Sequence, residues 1–123
     1  MAEISEYSRV TPAIERLAQV CLANSQINRD DYLRYNVKRG LRDLDGTGVL
    51  AGLTEISEII SSKTVNGEQQ PCPGELYYRG YSIQELTDGF LSDGRFGFEE
   101  TAYLLLFGQL PDAAQLEQFN RQL

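Results

Sequence analysis

The segment from Phe98 to Phe107 carries apolar side chains on almost every side of a helix, and this most limits how the chain can fold. A helix of this kind has to be covered by other elements, because a solvated surface helix needs a polar face. Gly108 ends the pattern, as glycine commonly does just past a helix C-terminus. The sequence therefore predicts that this helix lies deep within an assembly larger than its own segment.

Other helices are predicted from capping residues and from three- and four-residue apolar periodicity. Thr11 precedes an apolar stripe and can cap its exposed backbone N–H groups. Ser82 with Glu85, and Asp112 with Gln115, have the spacing of a capping box. The predicted helices span about 12–24, 30–39, 82–90, 98–107 and 112–123.

The middle of the chain has a β-like composition. Ile56, Ile59 and Ile60 fall in one candidate strand, and the residues 75–78 form a short aromatic candidate. Asn66-Gly67 is a turn signal between them, and the prolines at 71 and 73 limit pairing. We therefore predict a mainly α fold, with helices and a small two-stranded β ribbon at about 54–78.

Composition excludes several functional classes. The chain of 123 residues has 18 acidic and 11 basic residues and a net charge of −7, which disfavours nucleic-acid and membrane-surface partners. Its apolar runs are too short to span a bilayer and its N-terminus is acidic, so we expect a cytoplasmic protein. Because Cys21 and Cys72 are the only cysteines and there is no histidine, no metal site is expected.

A local basic segment interrupts this acidic chain. Two interpretations of Arg42 are open: it lies in an anion-attracting patch, or it pairs with Asp43 or Asp45. Arg34, Lys38 and Arg39 can equally complement the negative end of the predicted second helix. The segment holds five of the eleven basic residues: Arg29, Arg34, Lys38, Arg39 and Arg42.

Three blocks, Lys38–Thr54, Gly74–Ile83 and Phe98–Pro111, together resemble the N-terminal region of the citrate synthase family. The resemblance implies an incomplete part of that family's large, mainly α-helical domain, in an enzyme that forms homodimers. It implies an acyltransferase that condenses oxaloacetate, or a related 2-oxo acid, with an acyl-coenzyme A. Acetyl-CoA would be a substrate of the full-length enzyme, not a covalently bound cofactor. The arginine matching Arg42 is implicated in contacting the phosphates of coenzyme A.

The family's catalysis relies on histidines, and none of those motifs matches a position here, so we assign no catalytic residue. Leu123 falls inside a periodic pattern without a stop signal, so we expect residues 1–123 to be an N-terminal fragment that is inactive by itself. Its role would be structural or dimer-forming, with the remainder of a citrate synthase chain or a second copy as partner. The alternative is a stand-alone helical module for self-association or docking. The sequence does not separate citrate from 2-methylcitrate synthase.

Overall fold

The computed structural model describes residues 8–38, 40–42 and 48–123. Arg39, Asp43 and Asp45 lie outside the described residues. The glycine- and aspartate-rich composition of residues 43–48 predicts a tight turn, and most of this stretch also lies outside the described residues. The elements follow one another as α1 (Pro12–Ala23), α2 (Arg29–Arg34), β1 (Ser57–Val65), β2 (Glu68–Tyr78), β3 (Tyr81–Ser82), α3 (Ile83–Ser92), α4 (Phe98–Phe107) and α5 (Ala113–Asn120).

The predicted fold class is wrong. The described chain has 43% helix and 22% strand, and its strands form a three-stranded antiparallel sheet in the order β1-β2-β3, so the fold is α+β. The missed strand, β3, arises because Arg79 and Gly80 both have positive φ, 49° and 87°. Two such residues in succession make a tight hairpin turn, which returns the chain so that Tyr81 pairs with Tyr78.

β2 continues through both prolines, but its pairing with β1 is interrupted there, as the sequence predicts. Pro71 pairs with Ser62, and the register then shifts before Glu75 pairs with Ile60. Three residues, Cys72 to Gly74, therefore lie opposite the single residue Ser61. Because β3 pairs only with Tyr77 and Tyr78, the other side of β2 is an open edge at the prolines, where a missing backbone donor is tolerated.

The capping predictions are confirmed. The Thr11 hydroxyl accepts from the Ile14 N–H at 3.3 Å. At the start of α3 the Glu85 N–H donates to Ser82 Oγ at 3.1 Å, while the Ser82 N–H donates to the Glu85 carboxylate at 2.9 Å. The same reciprocal pair of bonds joins Asp112 and Gln115 before α5. Hydrogen-bonding groups close in sequence thus set where these helices begin.

The second helix is shorter than the segment 30–39 predicted from the sequence. α2 begins after Asn28, whose side chain accepts from the Asp30 N–H at 3.0 Å. It ends at Arg34, and Asn36 then has a left-handed φ of 51°. Asparagine adopts this conformation more readily than most residues, so it ends the helix without a glycine.

The core lies where α4 meets α1 and α5. Tyr103, Phe107 and Phe119 form an aromatic cluster with ring centroids 4.5–5.8 Å apart, and Leu104 beside them on α4 is fully buried. Leu17, Val20 and Cys21 of α1 pack against this cluster. Part of α4 is left uncovered, since Phe98 is 73% exposed. Within the described residues, each helix is too short or too polar to cross a membrane.

Candidate functional site

Arg42 lies where the chain reverses direction. It forms an antiparallel bridge with Gly48, and the Lys38 N–H donates to the Leu50 carbonyl at 2.7 Å. The segments on either side of residues 43–47 are therefore held side by side, and Arg42 is exposed at their end. The carboxylates weighed as its partners, Asp43 and Asp45, are outside the described residues.

The neighbouring cations are also exposed, but they do not share one role. Arg34 lies in the last turn of α2, where a cation is favoured, and its guanidinium stands over the Tyr35 ring at 5.3 Å. Lys38 lies beyond the end of the helix, because α2 stops early. Arg29 is the first residue of α2, at the end where the helix dipole does not favour a positive charge. Complementing the helix C-terminus therefore accounts for Arg34 but not for Lys38 or Arg29.

A cavity of about 470 Å³ lies between α2 and the turn that joins β2 to β3. Its size is in the usual range for a small-molecule site. Three carboxylates, of Asp31, Glu55 and Glu58, contribute to its lining, and Arg42 is not among the described residues around it. A phosphate group would be repelled by these carboxylates, so this cavity is distinct from the anion site considered for Arg42.

Arg79 borders the same cavity and was not predicted from the sequence as a site residue. Its hydrogen bonds connect α1, α4 and the sheet. Its Nε and Nη2 donate to the Leu105 carbonyl of α4 at 3.2 and 3.0 Å, and its Nη1 donates to the Asn24 carbonyl, just after α1, at 3.1 Å. Its backbone N–H donates to the Ile56 carbonyl at 2.9 Å. Arg79 therefore holds the C-terminal ends of two helices against the sheet, where a cation interacts favourably with the helix dipoles.

A second polar group lies on the face of the hairpin. Lys63 Nζ contacts Glu75 Oε1 at 2.8 Å, and the Tyr77 hydroxyl donates to Glu75 Oε2 at 2.9 Å. The hydrogen bond from Lys63, followed by that from Tyr77, lowers the pKa of Glu75. Its carboxylate in turn raises the pKa of Lys63 and of Tyr77. These contacts join β1 to β2 on the exposed surface.

Both cysteines of the chain, Cys21 and Cys72, are free thiols of intermediate exposure. Among the described residues, we find no group of three or more acidic or cysteine side chains placed to hold a metal ion.

A comparison with protein families tests the resemblance that the three sequence blocks indicate. The family model described as "Citrate synthase, C-terminal domain" matches residues 41–123, more than half of the chain. The chain belongs to the citrate synthase family. Arg42 and Arg79 both fall within the matched segment, whereas α1 and α2 precede it. The assignment to the N-terminal region of the enzyme stays a prediction.

Curated members of the citrate synthase family are similar to this chain over part of its length. A 2-methylcitrate synthase 1 of Corynebacterium glutamicum is 34% identical over 84 residues, 68% of this chain and 16% of its own. A 2-methylcitrate synthase of Mycobacterium tuberculosis is 33% identical over 89 residues, 72% of this chain and 17% of its own. Citrate synthase 1 of M. tuberculosis is 42% identical over 50 residues, 41% of this chain and 10% of its own. The chain thus matches about a sixth of the length of the first two relatives. No solved structure matches it significantly.

Proposed function

We propose that the protein to which this chain belongs condenses oxaloacetate with a short acyl-coenzyme A and that water then hydrolyses the resulting thioester, releasing coenzyme A and a tricarboxylic acid. The observation that carries this proposal is the family match over residues 41–123. The names of the relatives support two acyl donors. Forming citrate needs an acetyl donor, and forming 2-methylcitrate, which has one more carbon, needs a propionyl donor.

The test is a thiol-release assay on the complete gene product with oxaloacetate. Acetyl-CoA and propionyl-CoA are compared at equal concentration, with a preparation from cells lacking the gene as control. Release with either donor supports the proposal, and the ratio of kcat/KM values for the two donors identifies the substrate. Absence of release with both would reject the reaction and favour the alternative of a docking module.

The 123-residue chain alone is inactive in our proposal, and its contribution is structural and self-associating. Condensation needs groups that polarise the ketone of oxaloacetate and stabilise the enolate of the thioester. By resemblance, histidines serve these roles in the family, and this chain has none. In the same assay, turnover by the purified chain above that of a mock purification would contradict its inactivity.

Arg42 is proposed to contact the phosphates of coenzyme A. Three features support this: it is exposed, it lies at a chain reversal, and it follows Lys38 in a basic segment of an acidic chain. A guanidinium offers several donors in a fixed plane, which suits phosphate oxygens.

The compartment is proposed to be the cytoplasm, and cell fractionation with an antibody to the chain tests this.

A further inference from the structure

Asn66 and Gly67 form the turn between β1 and β2. Their φ angles are 52° and 86°, and Val65 before the turn pairs with Glu68 after it. Two residues with positive φ between paired strands make a type I′ turn, for which Asn-Gly is a preferred sequence. The backbone conformation of Asn66 is therefore set by the closed hairpin.

The same two residues can react with each other. The backbone nitrogen of Gly67 attacks the carboxamide carbon Cγ of Asn66, and the bond from Cγ to the side-chain nitrogen breaks. The proton of the Gly67 nitrogen passes through solvent to the departing nitrogen, which leaves as ammonia, so that a succinimide ring remains. Water then opens the ring at either carbonyl and gives aspartate or isoaspartate. No Cβ on Gly67 hinders the attack.

The following residue distinguishes Asn66 from the other asparagines of the chain. Only Asn66 is followed by glycine. Asn36 has almost the same φ, 51°, but the next residue is Val37, whose branched Cβ crowds the attacking nitrogen. Asn36 is thus an internal control with a similar backbone angle and a hindered nucleophile.

The type I′ turn holds Asn66 in a conformation from which the ring cannot close. The first central residue of such a turn has ψ of about +30°, which places the next nitrogen nearly opposite Cβ across the Cα–C bond. Ring closure needs the Gly67 nitrogen on the same side of that bond as Cβ and Cγ. The peptide group between the two residues must therefore rotate, and this rotation opens the turn locally.

The modification also prevents the turn from closing again. In isoaspartate, Cβ becomes part of the main chain, so the loop between Val65 and Glu68 gains a backbone atom. A type I′ turn has no place for this atom, since its two central residues have fixed φ and ψ. A brief opening of the hairpin is thus converted into a lasting change at the end of the β1–β2 ladder.

We propose that Asn66-Gly67 is a self-modification site, protected while the hairpin turn is closed and converted through a succinimide to isoaspartate when the turn opens. The reaction needs only water as a co-reactant. The inference goes beyond the proposed condensation and does not depend on it.

The test follows each asparagine of the 123-residue chain by peptide mapping and mass spectrometry, in mildly alkaline buffer with and without urea. In urea, Asn66 is expected to lose its amide faster than every other asparagine, including Asn36. Without urea, the rate at Asn66 is expected to fall at least about tenfold, which corresponds to an opening free energy of about 1.4 kcal/mol. An isoaspartate methyltransferase with labelled S-adenosylmethionine identifies the isoaspartate product.

Two variants separate the chemistry from the opening of the turn. Asn66→Gly keeps a sequence suited to a type I′ turn and should remove the signal. Val65→Gly loosens β1 beside the turn, so Asn66 should react roughly 2- to 5-fold faster than in the wild type without urea, and equally fast in urea.

Three outcomes would overturn the inference. Reaction of another asparagine as fast as Asn66 in urea would reject the site. Equal rates at Asn66 with and without urea would show that the turn does not protect it. An unchanged rate in Val65→Gly without urea would reject control by opening of the hairpin. None of these readouts uses a substrate, so failure of the proposed condensation leaves them interpretable.

Discussion

At the scale of single residues, Arg79 and Arg42 are both arginines of the matched segment, but their surroundings differ. Arg79 is half-buried, and its guanidinium bonds to carbonyls of Leu105 and Asn24. Arg42 is exposed at a chain reversal. Removing the first should therefore affect folding, and removing the second should affect binding.

We expect Arg79→Ala to lower the free energy of unfolding by about 2–3 kcal/mol, because charge-assisted bonds to the partly buried Leu105 carbonyl and to the exposed Asn24 carbonyl are lost. Arg79→Lys should recover less than half of this, since one ammonium lacks the planar fork that reaches both carbonyls. The matched control is Arg121→Ala, which removes an exposed pair with Glu117 and should cost at most about 0.5 kcal/mol. Urea denaturation measures the free energy of unfolding of all three variants. Full recovery of stability in Arg79→Lys would show that the planar guanidinium is not required.

For Arg42→Ala in the complete enzyme, the apparent KM for the acyl-CoA substrate should rise roughly 10- to 150-fold, corresponding to a lost charge-assisted hydrogen bond of about 1.5–3 kcal/mol. The KM for oxaloacetate and the melting temperature should stay close to wild type, since exposed arginines contribute little to stability. Arg34→Ala, which removes a nearby exposed cation, is the control. An unchanged KM with a markedly lower melting temperature would make Arg42 structural.

At the scale of elements, how much the sequence predicted depends on how far apart the interacting groups lie in the chain. The caps at Ser82 and Asp112 act over three residues and were predictable. Arg79 bonds to residues 26 and 55 positions away, and its positive φ is unusual for arginine, so neither its contacts nor β3 could be predicted. Of the candidate site, the sequence predicted Arg42 and a turn after it, but not the pairing of Arg42 with Gly48.

The glycines between α3 and α4 give a test of packing at the element scale. Gly94 and Gly97 both have left-handed φ, 66° and 77°, so alanine at either should cost about 1–2 kcal/mol in backbone strain. A Cβ at Gly97 would also lie 2.3 Å from the Phe90 ring, whereas one at Gly94 meets nothing within 4 Å. Gly97→Ala should therefore be less stable than Gly94→Ala by a further 1–3 kcal/mol or so in thermal unfolding. Equal losses would show that Phe90 does not constrain the entry to α4.

The hairpin group of Lys63, Glu75 and Tyr77 predicts a pH dependence. Because the pKa of Glu75 is lowered, its contribution to stability is complete above the ordinary carboxyl pKa and is lost as the pH falls through the lowered value. The pKa of Lys63 is raised, so its contribution is complete below the ordinary lysine pKa and is lost as the pH rises through the raised value.

We expect Lys63→Gln to raise the pKa of Glu75 toward its ordinary value, and by more than Tyr77→Phe does, because the bond from Lys63 is the larger cause. Titration of the Glu75 carboxyl carbon by NMR measures the shift in each variant. The same Glu75 pKa in Lys63→Gln and in the wild type would show that the ion pair does not persist in solution.

At the scale of the whole molecule, a small core supports a large surface. Among the described residues, five large apolar side chains are buried: Leu86, Tyr103, Leu104, Phe107 and Phe119. Each contributes about 1.5–3 kcal/mol on burial, so this small core offsets only part of the conformational entropy that opposes folding, and little net stability is expected for the isolated chain. Any contact that buries more of the surface in the folded state therefore increases the net stability of the chain.

We therefore expect the melting temperature of the 123-residue chain to depend on its own concentration. If folding and dimerisation are coupled, each tenfold increase in chain concentration adds about 1.4 kcal/mol to the stability of the dimer, which raises the melting temperature by roughly 3–5 °C for an assembly of this size. Calorimetry at several concentrations of the chain measures the effect. A wild-type melting temperature that is constant over a hundredfold range of concentration would show that the chain folds as a monomer.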